Sequence, residues 1–527
     1  MQFCAALREY DVPLHHPHPP GFPLFILMAK LARFVFRDDF RALQSVTLVA
    51  ACALFPLLLL AARALKFDFA TSYGGALLFV FLPNVWFYGG TAFSDIAGVA
   101  AILAAVWLLL REDDAYLAGA VMLGLAAAIR PQALLFGVAP FLVASWRHRQ
   151  RPRRVLAAGL ITATIVVASY AGAAAASSSF AGYRNSVDDV KTWVRSVDAY
   201  TNPHRPPLLS LADEFFVRPM GGGRIALVLF ALALVALLDR QSWLAVAIFA
   251  PFALFAWLML DRNSIHRYAT AYVALHALLA ARGARMLLRR RALQLAAVAL
   301  LVLRYAWWTA PALAEVRRTP SPTFAVMQWL RAQSAPIYVH GSLGPFASYF
   351  LYDRRVLVLR DATTLPNAAA RNALFATEGL VSGARATFAR GHGRVYELAR
   401  QRYFAASVVP LSNVWQYGAG WYEEEEDPPR TWRWMGARSE ATLPALARPA
   451  GRLTLTLATP PHAETGVEVR FNGVLLERFR CGYAPVTKSW TVASRASNEL
   501  AITASSTTRV NDDPRSLSVQ LVGLGWE

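Results

Sequence analysis

The chain has 527 residues, 56% hydrophobic and 17% charged, and its mean hydropathy is positive. That balance excludes a disordered chain, a coiled coil and an ordinary cytosolic enzyme, since ordinary soluble domains carry about 25% charged residues. The net charge of +19, from 53 basic and 34 acidic residues, fits arginine-rich cytoplasmic loops between membrane spans better than a nucleic-acid surface.

In chain order, Pro17, Pro19, Pro20 and Pro23 stiffen a loop that leads into a helix over 21–36. Arg33, Arg37 and Arg41 suit an amphipathic helix on the outer interface. Apolar runs long enough for spans, or nearly so, lie near 42–65, 69–83, 95–110, 115–129, 131–146, 155–174, 222–238, 242–260, 267–281 and 292–311. Arg130-Pro131 separates two short apolar runs, so two helices are expected to meet at a break there. The loops Trp146–Arg154 and Arg282–Arg291 are arginine-rich and therefore cytoplasmic. Alternation then places the loops at Lys66–Asp68, Arg111–Asp114 and Asp239–Gln241 on the same side. The loops at 84–94, around Arg130, at 175–220 and at Asp261–Arg267 face outward, as does everything after about 311. With this orientation the chain begins inside an outer loop, and a first membrane helix is expected to be missing from the sequence. Cys4, Cys52 and Cys481 show no metal-like or disulfide-framework spacing, although a Cys4–Cys481 bridge is conceivable.

Beyond the spans the pattern turns ordinary. A helix is expected from Ser321-Pro322 to about Ser334, strands at 337–340, 356–359 and 405–409, and helices at 345–352 and near 393–403, which together make a small α/β domain. After about 416 the periodicity is two. Leu453–Leu457, Val467–Phe471, the hairpin signal Asn472-Gly473, Val474–Leu476, Leu500–Thr503 and Leu517–Leu521 read as a β-sandwich. The acidic run Glu423–Asp427 reads as a solvated turn rather than a calcium site. The expected architecture is a multi-span α-helical membrane domain over 1–310, an extracytoplasmic α/β domain over 311–415 and a C-terminal β-sandwich over 416–527.

The stretches Leu7-Arg8-Glu9-Tyr10-Asp11 and His15-His16-Pro17-His18-Pro19-Pro20-Gly21-Phe22-Pro23 resemble the first external loop of bacterial GT-C superfamily glycosyltransferases, in the family 39-like group of protein O-mannosyltransferases and the lipid A aminoarabinose transferase. Pro83-Asn84 to Ser94-Asp95, Gly124 to Arg130-Pro131 and His266-Arg267-Tyr268 match more loosely, and together the likeness covers about 1–310. Gly420-Trp421-Tyr422 through Trp432-Arg433-Trp434-Met435 resembles carbohydrate-binding-like modules attached to some envelope glycosyltransferases. The resemblance implies a GT-C-like fold and inverting sugar transfer from a polyprenyl-phosphate lipid to an envelope glycan, lipid or protein acceptor, on the periplasmic face of the bacterial inner membrane. It also implies a catalytic Asp in the first external loop. Gln2-Phe3-Cys4-Ala5 occupies the stretch after that Asp, so its position falls just before Met1.

Glycosyl transfer needs a base for the acceptor proton and a cation for the departing phosphate. Asp95, at the outer end of a span, is a candidate catalytic carboxylate, metal ligand or acceptor contact; the alternative is a helix cap with Ser94. Glu9 and Asp11 are candidate acids near the expected site, or ordinary loop residues. His15, His16 and His18 are candidate phosphate or metal contacts, with a proline-stiffened loop as the alternative. Arg130, in an apolar stretch, needs an anion, either a lipid phosphate or Asp95. Arg267 and Tyr268 bind phosphate or anchor the span at the interface. Trp421, Trp432 and Trp434 stack on sugars or fill a core. A divalent metal is left open as cofactor; the partners are the lipid donor, the acceptor and the bilayer, with no nucleic acid. Two other functions fit less well. One is a transporter or flippase for a lipid-linked saccharide, and the other is an inactive, glycan-binding paralogue.

Overall fold

The computed structural model describes residues 1–112, 115–203, 205–221, 223–288, 290–359, 373–380, 384–389, 405–410, 416–427, 430–446, 448–509 and 513–526. The chain divides into two compact units, with the break between Thr319 and Pro320. The boundary lies later than 310 because the last helix of the first unit, Arg291–Arg318, continues through Pro311.

The first unit is helical. Asp39–Ala64, Pro152–Ala175, Ser242–Met259 and the stretch Arg291–Arg331, which begins in this unit and ends beyond it, are long and apolar enough to cross a membrane. Phe69–Phe81 with Pro83–Gly89, bent by 63°, and Leu208–Met220 with Arg224–Ala236 each pass that test as a pair, giving four to six spans by length and composition. Asp95–Leu110, Tyr116–Ile129 and Ala133–Arg147 are apolar but shorter. Each expected span therefore falls on a helix, but several are short segments packed within the bundle. Local chemistry sets the ends. Asp38 caps the Arg41 amide at 2.7 Å and Asp68 caps that of Thr71 at 3.1 Å. The run expected at 267–281 splits, because Ile265–Tyr268 is a separate turn and the long helix is Val273–Leu287.

Small residues let these helices touch backbone to backbone. A Cβ on Gly75 would lie 2.9 Å from Leu278 Cα, and one on Gly283 would lie 1.9 Å from the Leu232 carbonyl. The charged loops collect by end, as expected from the alternation. At one end Arg282 reaches Asp239 at 2.7 Å and Asp68 at 3.3 Å, Lys66 pairs with Glu112, and Arg147 donates to the Leu110 carbonyl. At the other, Asn84 donates to the His266 carbonyl and Tyr183 to that of Pro20. Helix Pro23–Phe36 carries the exposed Leu27, Leu31, Phe34 and Val35. Arg33 is not a free interfacial cation, because its Nε sits 2.8 Å from Asp39, as does that of Arg8.

The second unit begins with helix Pro322–Arg331 and holds three sheets. Its strands are β1 (Ile337–His340), β2 (Val356–Leu359), β3 (Leu374–Glu378), β4 (Ala386–Ala389), β5 (Ala405–Pro410), β6 (Gln416–Tyr417), β7 (Trp421–Asp427), β8 (Arg430–Met435), β9 (Arg438–Pro444), β10 (Ala450–Ala458), β11 (Thr465–Phe471), β12 (Val474–Cys481), β13 (Val486–Ala493), β14 (Ser497–Ala504) and β15 (Gln520–Trp526). The first sheet, ordered β2-β1-β3-β5-β4, mixes parallel and antiparallel pairs. Helices Pro322–Arg331 and Gly344–Phe350 pack on it through Val326, Met327, Leu330 and Ala347, as the α/β reading required. The helix expected near 393–403 lies outside the described residues.

The remaining sheets, β13-β10-β15-β8-β7 and β12-β11-β14-β9-β6, form the sandwich. Leu453, Leu455, Leu457, Val467, Val469, Leu500 and Ile502 fill its core. Asn472 and Gly473 have φ of 50° and 80°, the two left-handed positions that an Asn-Gly hairpin needs. Two expectations are corrected, and one strand is added. The acidic run 423–427 is strand, not turn, because Glu425 alternates onto a face where cations and indoles meet it. The last strand is Gln520–Trp526 rather than 517–521; Leu517 makes only a bridge to Thr508. Strand β13 was hidden by Lys488 in its inward row, where the ammonium crosses the open edge to Glu477. The three cysteines are unbridged.

Candidate functional site

Helix Asp95–Leu110 opens on a carboxylate that is 5% exposed. No side chain caps this helix start. Asp95 instead meets two guanidinium groups. Arg130 follows helix Tyr116–Ile129 with extended backbone, as expected of a residue before proline. Its Nη1 lies 2.8 Å from Asp95 Oδ1 and donates to Ser94 Oγ at 3.1 Å. Gly98 makes room for it: a Cβ there would come within 2.9 Å of Arg130 Cδ. The second guanidinium is Arg267, with Nε 3.8 Å from Asp95 Oδ2. Arg267 Nη2 donates to the Tyr268 hydroxyl at 2.8 Å, and the group lies over the Phe93 and Tyr268 rings at 4.8 and 4.6 Å.

The first loop reaches this cluster through aromatic contacts. Arg130 lies 5.6 Å from the Phe22 ring centroid, and Phe22 packs against His18 at 4.8 Å. Phe3 completes a triangle of rings, 5.3 Å from both His18 and Phe22. Burial pushes the His18 imidazole down to about 3, and the Arg267 and Arg130 charges push in the same direction. His18 is therefore neutral at any physiological pH. Two guanidiniums, one carboxylate and a neutral imidazole leave the cluster with a charge of +1. Beside it lies a cavity of about 20 Å³, room for one water. Asp95, Arg130, Gln132, Tyr268 and Thr270 form its polar rim, and Val99, Ile102, Phe136 and Phe252 its apolar wall. The buried Gln132 Oε1 has no hydrogen-bond partner among the described residues.

The other expected residues are placed differently. Asp11 is 5% exposed, and its Oδ1 accepts from the Ser178 amide and hydroxyl at 3.3 and 3.2 Å. Its backbone pairs with His16 in both directions, closing the loop. Glu9 is exposed, with its carboxylate 3.9 Å from His16 Nδ1. His15 is exposed and has a φ of 58°. The expected set thus separates: Asp95, Arg130, Arg267, Tyr268 and His18 come together, whereas Glu9, Asp11, His15 and His16 form a neighbouring loop clasp. Among the described residues no group of three His, Cys, Asp or Glu is placed to hold a metal ion. Phe22, Phe93, Gly98 and Gln132 were not singled out from the sequence. Aromatic and small residues are so common in spans that only the position of Arg130 would have pointed to Gly98.

The tryptophans divide as well. Trp421 donates to the Glu440 carbonyl at 2.9 Å and packs on the sandwich core. Trp432 and Trp434 both donate to Glu425 Oε2 at 3.2 Å, and Arg515 binds the same carboxylate through Oε1 at 2.7 Å.

No family model matches the chain, and no curated protein matches it. Among solved structures, the apo state of ArnT from Cupriavidus metallidurans is similar over 74% of this chain and 88% of that one, at 10% identity and a TM-score of 0.41. The same protein bound to undecaprenyl phosphate aligns over 73% and 87%, at 11% identity and a TM-score of 0.41. The arabinosyltransferase EmbB from Mycobacterium smegmatis aligns over 99% of this chain and 62% of that one, at 12% identity and a TM-score of 0.35. Likenesses at this level assign no activity; the side chains of the cluster carry the functional reading.

Proposed function

We propose that the chain is an integral membrane glycosyltransferase. It moves a sugar from a polyprenyl-phosphate donor to a glycan, lipid or protein acceptor of the cell envelope, at the outer face of the membrane. The observation that carries this reading is the Arg130–Asp95–Arg267 cluster. Two guanidiniums share one carboxylate at an end of an apolar helical bundle, beside an apolar-walled cavity. Ionisable groups inside such a bundle are costly and are kept where they bind or move charge. An anion satisfies the surplus cation, and one carried on a hydrocarbon chain suits a site at the end of an apolar bundle.

The chemistry follows from the charges. The acceptor oxygen attacks the anomeric carbon from the face opposite the phosphate. The carbon–oxygen bond to phosphate breaks, and its electron pair leaves with the lipid phosphate. Arg130 and Arg267 stabilise that developing charge, and guanidinium forks match phosphate oxygens. The neutral His18 ring supports the same anion by donating from a ring N–H. Asp95 is not well disposed to act as the base, because both its oxygens face guanidiniums; its role is to hold the two cations in place. The acceptor proton is assigned to a carboxylate of the first loop, Glu9 or Asp11.

The test uses protein in lipid nanodiscs and radiolabelled polyprenyl-phosphate sugars. Transfer is expected in the wild type and should fall at least about 100-fold in Arg267→Ala. Unchanged turnover in a folded Arg267→Ala protein, or flipping of the lipid-linked sugar without transfer, would overturn the proposal.

A further inference from the structure

Between Arg262 and Ala271 the chain is a series of short turns, Arg262–Ser264, Ile265–Tyr268 and Ala269–Ala271, and not one helix. Each turn that ends leaves carbonyls without a partner inside it. In an apolar bundle those carbonyls need donors from elsewhere. Two side chains supply them. The Thr270 hydroxyl donates to the Arg267 carbonyl at 2.7 Å. The Asn84 amide donates to the His266 carbonyl at 3.1 Å, across 182 residues of sequence.

Asn84 owes its place to another break. Pro83 cannot donate into helix Phe69–Phe81, and the chain bends by 63° into helix Pro83–Gly89. Asn84 follows that proline and is 1% exposed. Its Oδ1 accepts from the Val85 amide at 2.9 Å. The Val85 N–H can only donate and the His266 carbonyl can only accept, so the amide oxygen must face one and its nitrogen the other. Aspartate has the same shape but offers acceptors at both ends. The residue after His266 is Arg267. Its guanidinium lies 3.8 Å from Asp95, at the limit of an ion pair, and its closer partner is Tyr268 of the same turn at 2.8 Å. The turn, more than Asp95, therefore sets where the guanidinium stands. We propose that Asn84 is a positioning residue for Arg267: by holding the His266 carbonyl, it fixes the turn that brings Arg267 to Asp95. Its effect on turnover rests on the transferase reading; its effect on Arg267 does not.

A double-mutant cycle on the full chain in nanodiscs tests this. Asn84→Ala should lower transfer at least about tenfold, since a misplacement of about 1 Å can cost about 100-fold. In an Arg267→Ala background the same substitution should cost less than about twofold, because no guanidinium is left to misplace. Asn84→Asp keeps the acceptor for Val85 and loses the donor to His266, so it should be as impaired as Asn84→Ala. Thr162→Val loses hydrogen bonds to the Ala120 and Ala158 carbonyls elsewhere in the unit. It should cost the same factor in both backgrounds, as a purely structural residue does. The second readout needs no turnover. Phenylglyoxal modification of Arg267, followed by peptide mass, should be several-fold faster in Asn84→Ala than in the wild type or Thr162→Val. The proposal is overturned if Asn84→Ala and Arg267→Ala act additively, if Asn84→Asp transfers as the wild type does, or if the modification rate is unchanged. It is also overturned if neither Asn84 variant folds, which would make the residue structural. A wild type that transfers no sugar sinks the transferase reading alone, and the modification rates then decide for Asn84.

Discussion

Replacing Asp95 by Asn removes the one carboxylate that, among the described residues, contacts Arg130 and Arg267, while keeping its shape. At 2.8 Å and an effective dielectric constant near 20, the direct Arg130–Asp95 attraction is about 6 kcal/mol before desolvation is counted. Breaking a buried pair by removing one partner costs about 3–5 kcal/mol, because the remaining charge stays buried. Arg130 keeps Ser94 and Phe22, and Arg267 keeps Tyr268 and Phe93, so the lower end, about 3 kcal/mol, is expected. For a unit of this size that corresponds to a fall in melting temperature of about 4–5 °C. The functional reading adds a second expectation. Asp95→Asn raises the charge of the cluster from +1 to +2, so an anion should bind the variant more tightly than the wild type. With lipid in excess of both dissociation constants, each tenfold of tighter binding by the variant returns about 1.4 kcal/mol of the deficit relative to the wild type, so a 100-fold gain would return about 2.7 kcal/mol. The assay is thermal unfolding in detergent, with and without polyprenyl phosphate. Asp95→Asn should melt lower without the lipid and recover most of the difference with it. A variant that melts with the wild type, or a deficit that the lipid leaves untouched, would refute the reasoning. The first result would mean the pair is not a buried charge balance, and the second that the cations do not meet the lipid phosphate.

Gly98→Ala should cut transfer by at least about tenfold with little loss of stability, because its methyl group displaces Arg130 while alanine favours the helix by about 1 kcal/mol; turnover and melting temperature measured together check this. His18 stays neutral in the fold down to about pH 3, whereas an exposed histidine takes up its proton near 6.5. Its contribution to stability is therefore complete above about pH 6.5 and is lost progressively as the pH falls from there toward 3. His18→Phe should flatten the pH dependence of the melting temperature across that window. Gly283→Ala should destabilise the helical unit by about 1–3 kcal/mol or more, since its Cβ would fall on the Leu232 carbonyl, and reduced detergent-stable yield would report it. Asn498 is fully buried; it donates to the Pro444 and Arg495 carbonyls and accepts from the Arg495 amide and the Asn472 side chain. Asn498→Ala strands these groups and should lower the stability of the C-terminal unit by about 2–4 kcal/mol, read by urea unfolding.

The helical unit was legible because its signals are local. A span is a run of apolar residues, Pro131 ends a helix wherever it stands, and the charged loops at Lys66, Asp239 and Arg282 sort by end through alternation alone. The strands Leu453–Leu457 and Val467–Phe471 were equally plain, because one face is core and the other is solvent. The misses have a common cause in side chains that cross the usual partition. Lys488 sits in an inward row and reaches Glu477 across an open edge. Glu425 belongs to an acidic run, but in the fold it is the acceptor for two indoles and a guanidinium. Neither pairing is visible without the neighbouring strand.

The candidate site was legible one residue at a time but not as a site. Arg130 and Asp95 each stood out as charge in an apolar setting, and each admitted two explanations. Their 2.8 Å contact shows that the two explanations are parts of one. Asp95 is the internal anion that lets Arg130 be buried, and Arg267 makes the sum positive. An apolar bundle that buried only a balanced pair would gain little from it, since the desolvation cost roughly cancels the attraction. A second guanidinium beside the same carboxylate adds a cost that no contact among the described residues repays. Tyr268 and Phe93 offer the Arg267 charge a hydroxyl and ring faces, not a countercharge. The surplus makes energetic sense when an anion occupies the site during part of the working cycle, and the departing lipid phosphate of the proposed reaction would be such an anion.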